Sequence, residues 1–124
     1  METTLYEQVG GGGFFERLVE GFYREVERDD ALRALYPQDL TESKRHLTLF
    51  LIQYWGGPST YMQERGHPRL RIRHAPFRIT KQARDAWMTA MNASLSNLRA
   101  ELSDDQLADL TSYFEMASSQ MRNV

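Results

Sequence analysis

The stretch of this 124-residue chain best suited to chemistry is RLRIRHAPFRIT, residues 69–80, in which His74 stands among arginines. Seven basic residues and no acidic residue occur from Arg65 to Arg84. A cationic histidine would be repelled by these neighbours, so we expect a neutral imidazole. Neutral imidazole is the form that binds iron, and arginines beside it would suit a cofactor that carries carboxylates.

Two other interpretations of the same segment stay open on the residues alone. It could be a solvated basic face, or residues 65–84 could bind nucleic acid, since alternating arginine and apolar residues could track phosphates. The formal net charge of −2 excludes binding to polyanions through overall charge but allows a local basic patch. The alternation is also typical of a β-strand, but Pro68 and Pro76 limit its length. We therefore predict a loop with a short helix.

Three polar aromatic residues, Tyr23, Tyr36 and Trp87, form a second candidate group. A buried tyrosine or tryptophan must place its polar tip against a partner. These tips could therefore converge on a polar ligand. They could equally belong to core aromatics whose polar ends reach the surface.

Composition excludes several classes of site. The chain has no cysteine, so disulfides, thiolate metal sites and cysteine catalysis are ruled out. The three histidines do not share a helical spacing of three or four residues, which argues against a structural zinc site. No apolar run approaches the roughly 20 residues that a membrane span needs. We expect one domain over residues 1–124 and a soluble, cytoplasmic protein.

Apolar residues at helical spacing predict a mostly helical chain. Thr3 or Thr4 is expected to cap a short first helix, which the glycines at 10–13 should end. A helix from Thr41 should end at WGGP, residues 55–58, and its predicted inner stripe is Leu47, Phe50, Leu51 and Tyr54. Other predicted caps are Asp29 or Asp30, Thr80, and a capping box from Ser103 to Gln106.

Five segments resemble the group II truncated haemoglobins, the two-over-two helical globins of bacteria and plants. They are YEQVGG at 6–11, FYREV at 22–26, QYWGGP at 53–58, ERGHPRLRIRHAPFRI at 64–79 and RDAWM at 84–88. The resemblance runs from Leu5 to about Met121, and its longest segment is also its most specific. It implies an all-α truncated globin fold, a two-over-two helical sandwich around haem b, in which the alternating segment 69–73 forms a short helix.

The resemblance also implies a role for individual residues. His74 matches the proximal histidine, the protein ligand of haem iron. Around the distal ligand it implies the residues Tyr23, Tyr36, Trp87, Leu47 and Ser43. It directs His46 towards the haem edge or solvent. The expected haem-binding residues are Arg73 and Arg71 as propionate partners and Phe50, Tyr54, Phe77 and Met91 as pocket walls.

The function implied is binding of dioxygen and other small diatomic or anionic ligands. Several hydrogen-bond donors around a polarised ligand should slow its release, which suits nitric oxide oxidation or peroxide reduction better than carriage. Turnover would need an outside reductase. A monomer or homodimer is expected, with no nucleic-acid or membrane partner. The alternative is a haem-free helical module that binds nucleic acid through residues 65–84.

Overall fold

The computed structural model describes residues 3–124, which form helices joined by short connections and contain no strand. The α-helices are α1 (Leu5–Gln8), α2 (Gly12–Glu27), α3 (Asp30–Arg33), α4 (Thr41–Tyr54), α5 (Thr60–Arg65), α6 (Leu70–His74), α7 (Lys81–Asn97) and α8 (Asp104–Met121). A single 3₁₀ turn, Arg99–Glu101, joins α7 to α8. Among the described residues, no helix is both long enough and apolar enough to cross a membrane.

The predicted helix starts are confirmed by their caps. The side chains of Thr4, Asp29 and Thr80 each accept a hydrogen bond from the backbone N–H three residues on. Ser103 forms the full capping box, in which the Gln106 side chain accepts from the Ser103 N–H at 2.9 Å. Local side-chain chemistry therefore sets where these helices begin.

The sequence predicts that all four glycines at 10–13 interrupt the helix, and this is wrong for Gly12 and Gly13. Gly10 and Gly11 take positive φ angles of 90° and 92° and make the turn. Gly12 and Gly13 already belong to α2. A sharp reversal needs only two residues in this conformation, which costs glycine little.

Two helix pairs, α2 with α4 and α7 with α8, build the core, and α2 also packs along α7. The apolar residues that recur at helical spacing in α2 are at most 1% exposed: Phe15, Leu18, Val19, Phe22 and Val26. In α4 only Leu51 is buried. The predicted inner stripe of α4 is wrong for Tyr54, which is 49% exposed.

Helices α2 and α7 are in close contact at Gly21 and Ser94. The Ser94 Oγ donates a 2.6 Å hydrogen bond to the Leu18 carbonyl, and a Cβ on Gly21 would collide with that Oγ. Ser94 is 1% exposed, so the hydroxyl has little room to move. Close packing of the helices that carry Tyr23 and Trp87 therefore depends on glycine at position 21.

We expect Gly21→Ala to destabilise the protein. Overpacking costs about 1–3 kcal/mol, against a helix-propensity gain of about 1 kcal/mol for alanine. The free energy of unfolding in urea should therefore fall by up to about 2 kcal/mol. Gly13→Ala is the matched control, because Gly13 is an exposed helical glycine that faces only the flexible end of Arg17. Equal stability of the two variants would contradict the packing argument.

Candidate functional site

A cavity of about 400 Å³ lies among α2, α4, α6, α7 and α8. This volume is in the range of small-molecule and cofactor sites. Aliphatic and aromatic side chains form much of its wall, including Leu32, Leu35, Leu47, Phe50, Leu51, Leu70, Phe77, Ile79 and Phe114. The half-buried Leu47 and Phe50 of α4 face this cavity, which explains why α4 has an apolar stripe but only one buried residue.

His74, the last residue of α6, lines the cavity. Its Nδ1 lies 2.6 Å from the Leu70 carbonyl oxygen, one turn earlier in the same helix. A carbonyl oxygen can only accept, so Nδ1 carries a proton, and the neutral form of the ring then has its free lone pair on Nε2. This bond also fixes the ring orientation, as second partners of metal-binding histidines usually do.

The loop after His74 is held by Asn123, near the end of the chain. The Asn123 Nδ2 donates to the Phe77 carbonyl at 2.8 Å and to the His74 carbonyl at 3.4 Å. The backbone N–H of Ile79 donates to the Asn123 Oδ1 at 2.9 Å, and the Asn123 N–H donates to the Ile79 carbonyl at 3.0 Å. One side chain therefore ties the segment that begins at His74 to the C-terminal residues. Sequence reasoning missed Asn123, because nothing local marks such a distant partner.

Hydrogen-bond donors from three elements line the same cavity: Tyr23 of α2, Tyr36 after α3 and Trp87 of α7. The Tyr23 and Tyr36 rings are 5.5 Å apart, and Phe22 packs 5.0 Å from both Tyr23 and Trp87. Ser43 also lines the cavity.

Tyr23 and Tyr36 are both protonated donors at neutral pH. Burial raises the pKa of Tyr36 to about 12, although the neighbouring Trp87 lowers it in part. Burial, and secondly the nearby Tyr36, raise the pKa of Tyr23 well above its usual range, and the Ser43 hydroxyl offsets part of that rise. A phenol that keeps its proton can donate to a ligand with negative charge.

A histidine–arginine pair forms another part of the wall. The Arg65 Nη1 donates to the His46 Nε2 at 2.9 Å, so that nitrogen must accept. Partial burial, followed by the Arg65 charge, lowers the pKa of His46, while Glu42 at 3.3 Å opposes this shift. The Arg65 Nε is buried without a hydrogen-bond partner. The sequence alone marks Arg65 only as the first residue of the basic segment 65–84.

Arg73 also lines the cavity, but its guanidinium is partly engaged by the backbone. Its Nε donates to the Pro68 carbonyl at 2.7 Å, and its Nη2 donates to the Arg65 carbonyl at 3.1 Å. Arg73 therefore fixes the connection between α5 and α6. The Nη1 nitrogen has no protein partner among the described residues' hydrogen bonds and remains a donor for an anionic group.

The structure brings most of the sequence-predicted site residues to one cavity. Its lining includes His74, Tyr23, Tyr36, Trp87, Leu47, Ser43, Arg73, Phe50 and Phe77. Three other predicted residues do not line it. Met91 is fully buried in the core, Tyr54 stacks on Tyr113 and is half exposed, and Arg71 is exposed on α6. For Arg71 the reason is helical rotation, because it lies two positions before Arg73 and residues at that spacing do not share a helix face.

An all-helical sandwich in which histidines and several polar aromatic residues line an apolar cavity is typical of the globins. The sequence profile of the family described as Bacterial-like globin matches residues 4–120. The chain belongs to this family and, within it, to the group II truncated haemoglobins.

Individual relatives agree with this assignment. The chain is 42% identical over 96 residues to the group 2 truncated haemoglobin YjbI of Bacillus subtilis, covering 77% of this chain and 72% of that protein. The haemoglobin of the thermophilic bacterium Chloroflexus aurantiacus is 48% identical, with a TM-score of 0.94 over 99% of this chain and 100% of that one. A truncated oxygen-avid haemoglobin from Bacillus subtilis is 36% identical, with a TM-score of 0.91 over 98% and 100% of the two chains.

The residues present fit the haem that the family implies. The orientation of His74 leaves Nε2 as an unprotonated nitrogen, which is the atom that an iron ion takes. The apolar wall suits a flat hydrophobic ring, and the unpartnered Arg65 Nε and the free Arg73 Nη1 suit carboxylates.

Proposed function

We propose that this chain binds haem b in the cavity through His74 Nε2 and holds dioxygen or another small ligand beside Tyr23, Tyr36 and Trp87. The observation that carries the proposal is that an oriented histidine and three hydrogen-bond donors line one apolar cavity. When bound, haem supplies an iron centre that takes small ligands and exchanges electrons.

The chain's own residues select among ligands. Each hydroxyl or indole N–H can donate to a ligand that carries partial negative charge, and a charged acceptor makes such a bond worth about 1.5–3 kcal/mol. Dioxygen and small anions gain from this, whereas the less polarised carbon monoxide gains less. Since about 1.4 kcal/mol corresponds to a tenfold change in affinity, even one bond matters.

Tight binding and slow release favour chemistry at the site over oxygen carriage. We propose nitric oxide oxidation or peroxide reduction as the reaction class, with electrons from a separate reductase. The description of one relative as oxygen-avid supports slow release. The nucleic-acid alternative is disfavoured, because two arginines of the basic segment, Arg65 and Arg73, direct hydrogen bonds inward to His46 and to backbone carbonyls.

Dioxygen release from the reduced, haem-loaded protein tests this proposal. The control is a variant in which Tyr23, Tyr36 and Trp87 are all phenylalanine, which keeps the rings and deletes the donors. Loss of at least one charge-assisted bond should raise the dioxygen dissociation rate by about tenfold or more in stopped-flow measurements. Equal rates in the two proteins would refute a donor-controlled pocket.

The ferric protein should also bind small anions. Tyr23, Tyr36 and Trp87 can each donate a hydrogen bond to an anion, and none of them is an acceptor-only side chain that would repel it. We expect fluoride to bind about tenfold or more tightly in the native protein than in the same triple phenylalanine variant, in line with the loss of one such bond. Spectrophotometric titration gives both dissociation constants. A native affinity no higher than that of the variant would show that the donors do not face the bound anion.

Removal of the Asn123 side chain should weaken haem retention, although Asn123 does not line the cavity. Asn123→Ala deletes three side-chain hydrogen bonds to the segment 74–79, each worth about 1 kcal/mol at most since the site is exposed. We expect haem transfer to excess apomyoglobin to quicken several-fold. Gln120→Ala is the control, because Gln120 is exposed on α8 and bonds only Met116. Identical rates for the native protein and Asn123→Ala would exclude this role.

A further inference from the structure

Two stacked tyrosines connect the cavity to the protein surface. Tyr113 of α8 lines the cavity and is only 8% exposed. Its ring centroid lies 4.1 Å from that of Tyr54 at the end of α4, with an interplanar angle of 35°. Tyr54 is 49% exposed and does not line the cavity. The two stacked side chains therefore reach from the cavity to the protein surface.

Other aromatic rings extend this contact on the inner side. Tyr113 packs 5.4 Å from Phe114, which lies 5.7 Å from Trp87 inside the cavity wall. Trp55 lies 5.6 Å from Tyr113 and 5.1 Å from Tyr54. Phenol and indole are the side chains that lose an electron most readily, and transfer between rings in contact is fast because tunnelling falls steeply with distance.

The two hydroxyls differ in their access to water. Burial, and secondly the neighbouring Tyr54, raise the pKa of Tyr113 well above its usual range, so Tyr113 keeps its proton. Tyr54 can release a proton to solvent because about half of it is exposed. All six tyrosines lie within the described residues, and Tyr54 is the most exposed of them. Tyr23 and Tyr61, which also line the cavity, are each 4% exposed.

We propose that Tyr54 is a surface site at which phenolic reductants are oxidised, with Tyr113 passing the electrons to the cavity. The inference rests on the proposed function, because the oxidant is hydrogen peroxide reduced at the haem that His74 holds. It deepens that function by naming the class of reductant and its place of reaction. A phenol that is too bulky to enter the cavity could still be oxidised at Tyr54.

The reaction balances for two phenols per peroxide. Tyr54 gives one electron inward through Tyr113 and its hydroxyl proton to water, which leaves a neutral tyrosyl radical. The phenol then returns one electron and one proton to Tyr54 and becomes a phenoxyl radical. Two such cycles supply two electrons, and two protons enter the cavity from solvent. The peroxide O–O bond breaks and two waters form, so hydrogen peroxide and two phenols give two waters and two phenoxyl radicals.

The test uses the full-length, haem-loaded ferric protein with hydrogen peroxide and a phenol tethered to dextran, which cannot enter the cavity. Tyr54→Phe keeps the ring and removes the oxidisable hydroxyl. Tyr6→Phe is the matched control, because Tyr6 stacks on Phe15 and does not line the cavity. A nitroso spin trap followed by peptide mass spectrometry locates the protein radical. The decay of the ferric absorption band measures the first reaction with peroxide separately.

We expect a spin-trap adduct on Tyr54 in the native protein and several-fold slower oxidation of the dextran-tethered phenol in Tyr54→Phe, with Tyr6→Phe unchanged. The first reaction with peroxide should proceed at the same rate in all three proteins. Full oxidation of the tethered phenol by Tyr54→Phe, or no adduct on Tyr54, would overturn the inference. A native protein that binds haem and dioxygen but oxidises no phenol would overturn it and leave the proposed ligand binding intact. Failure to bind haem would overturn both.

Discussion

Replacing His74 with glycine should remove nearly all haem retention from the protein. Of the three histidines, His74 is the one whose Nδ1 donates to a local backbone carbonyl, which leaves Nε2 as the nitrogen with a free lone pair. The other two histidines are engaged at their ring nitrogens. His46 accepts from Arg65 at 2.9 Å, and the exposed His67 accepts from the Arg69 N–H at 3.0 Å. Haem content per chain after purification, read from the visible spectrum, measures the effect.

Two controls separate loss of a ligand from loss of the fold. Added imidazole should enter the space left in His74→Gly and restore haem binding, because it replaces the missing ring without the backbone link. His46→Ala, which removes a different cavity histidine, should retain haem. A normal five-coordinate ferrous spectrum at full occupancy in His74→Gly without imidazole would mean that another residue is the ligand.

Trp87→Phe should accelerate dioxygen dissociation by about tenfold or more, from the loss of one charge-assisted hydrogen bond. Tyrosine hydroxyls rotate, so Tyr23 and Tyr36 can substitute for one another as donors. The indole N–H has no rotor, and its direction is fixed by the packed ring. Phe22 and Phe114 hold that ring, with centroids at 5.0 Å and 5.7 Å.

Carbon monoxide provides the control for Trp87→Phe, since it accepts hydrogen bonds weakly. Stopped-flow dissociation of both gases should show a much larger change for dioxygen than for carbon monoxide. Equal acceleration of both would indicate that the smaller ring eases exit of any ligand. If neither rate changed, Trp87 would not be a donor to the bound ligand.

Local signals in the sequence were sufficient to predict where several helices begin. Caps at Thr4, Thr80 and Ser103 depend on a side chain and a backbone group three residues apart, so they can be read from short segments. The stretch 69–73 shows the limit of that approach. Its alternation suggests a strand, yet α6 forms there, because a lone strand has no partner in a helical protein.

The candidate site could be predicted only in part, because its position depends on long-range packing. The resemblance to group II truncated haemoglobins directed attention to His74, Tyr23 and Trp87, and all three line the cavity. It could not distinguish Met91, which lies in the core, from residues of the cavity wall, because core and wall residues are alike apolar residues on helices. Contacts that join distant parts of the chain, such as Asn123 with residues 74–79, leave no local pattern.

The pyridine haemochrome spectrum of the purified protein after reconstitution with haem tests haem binding directly. We expect a haem b spectrum with one haem per chain in the native protein. We also expect this haem to be lost in His74→Gly and regained on addition of imidazole. A folded, helical native protein that takes up no haem under these conditions would contradict the central claim that the cavity beside His74 is a haem site.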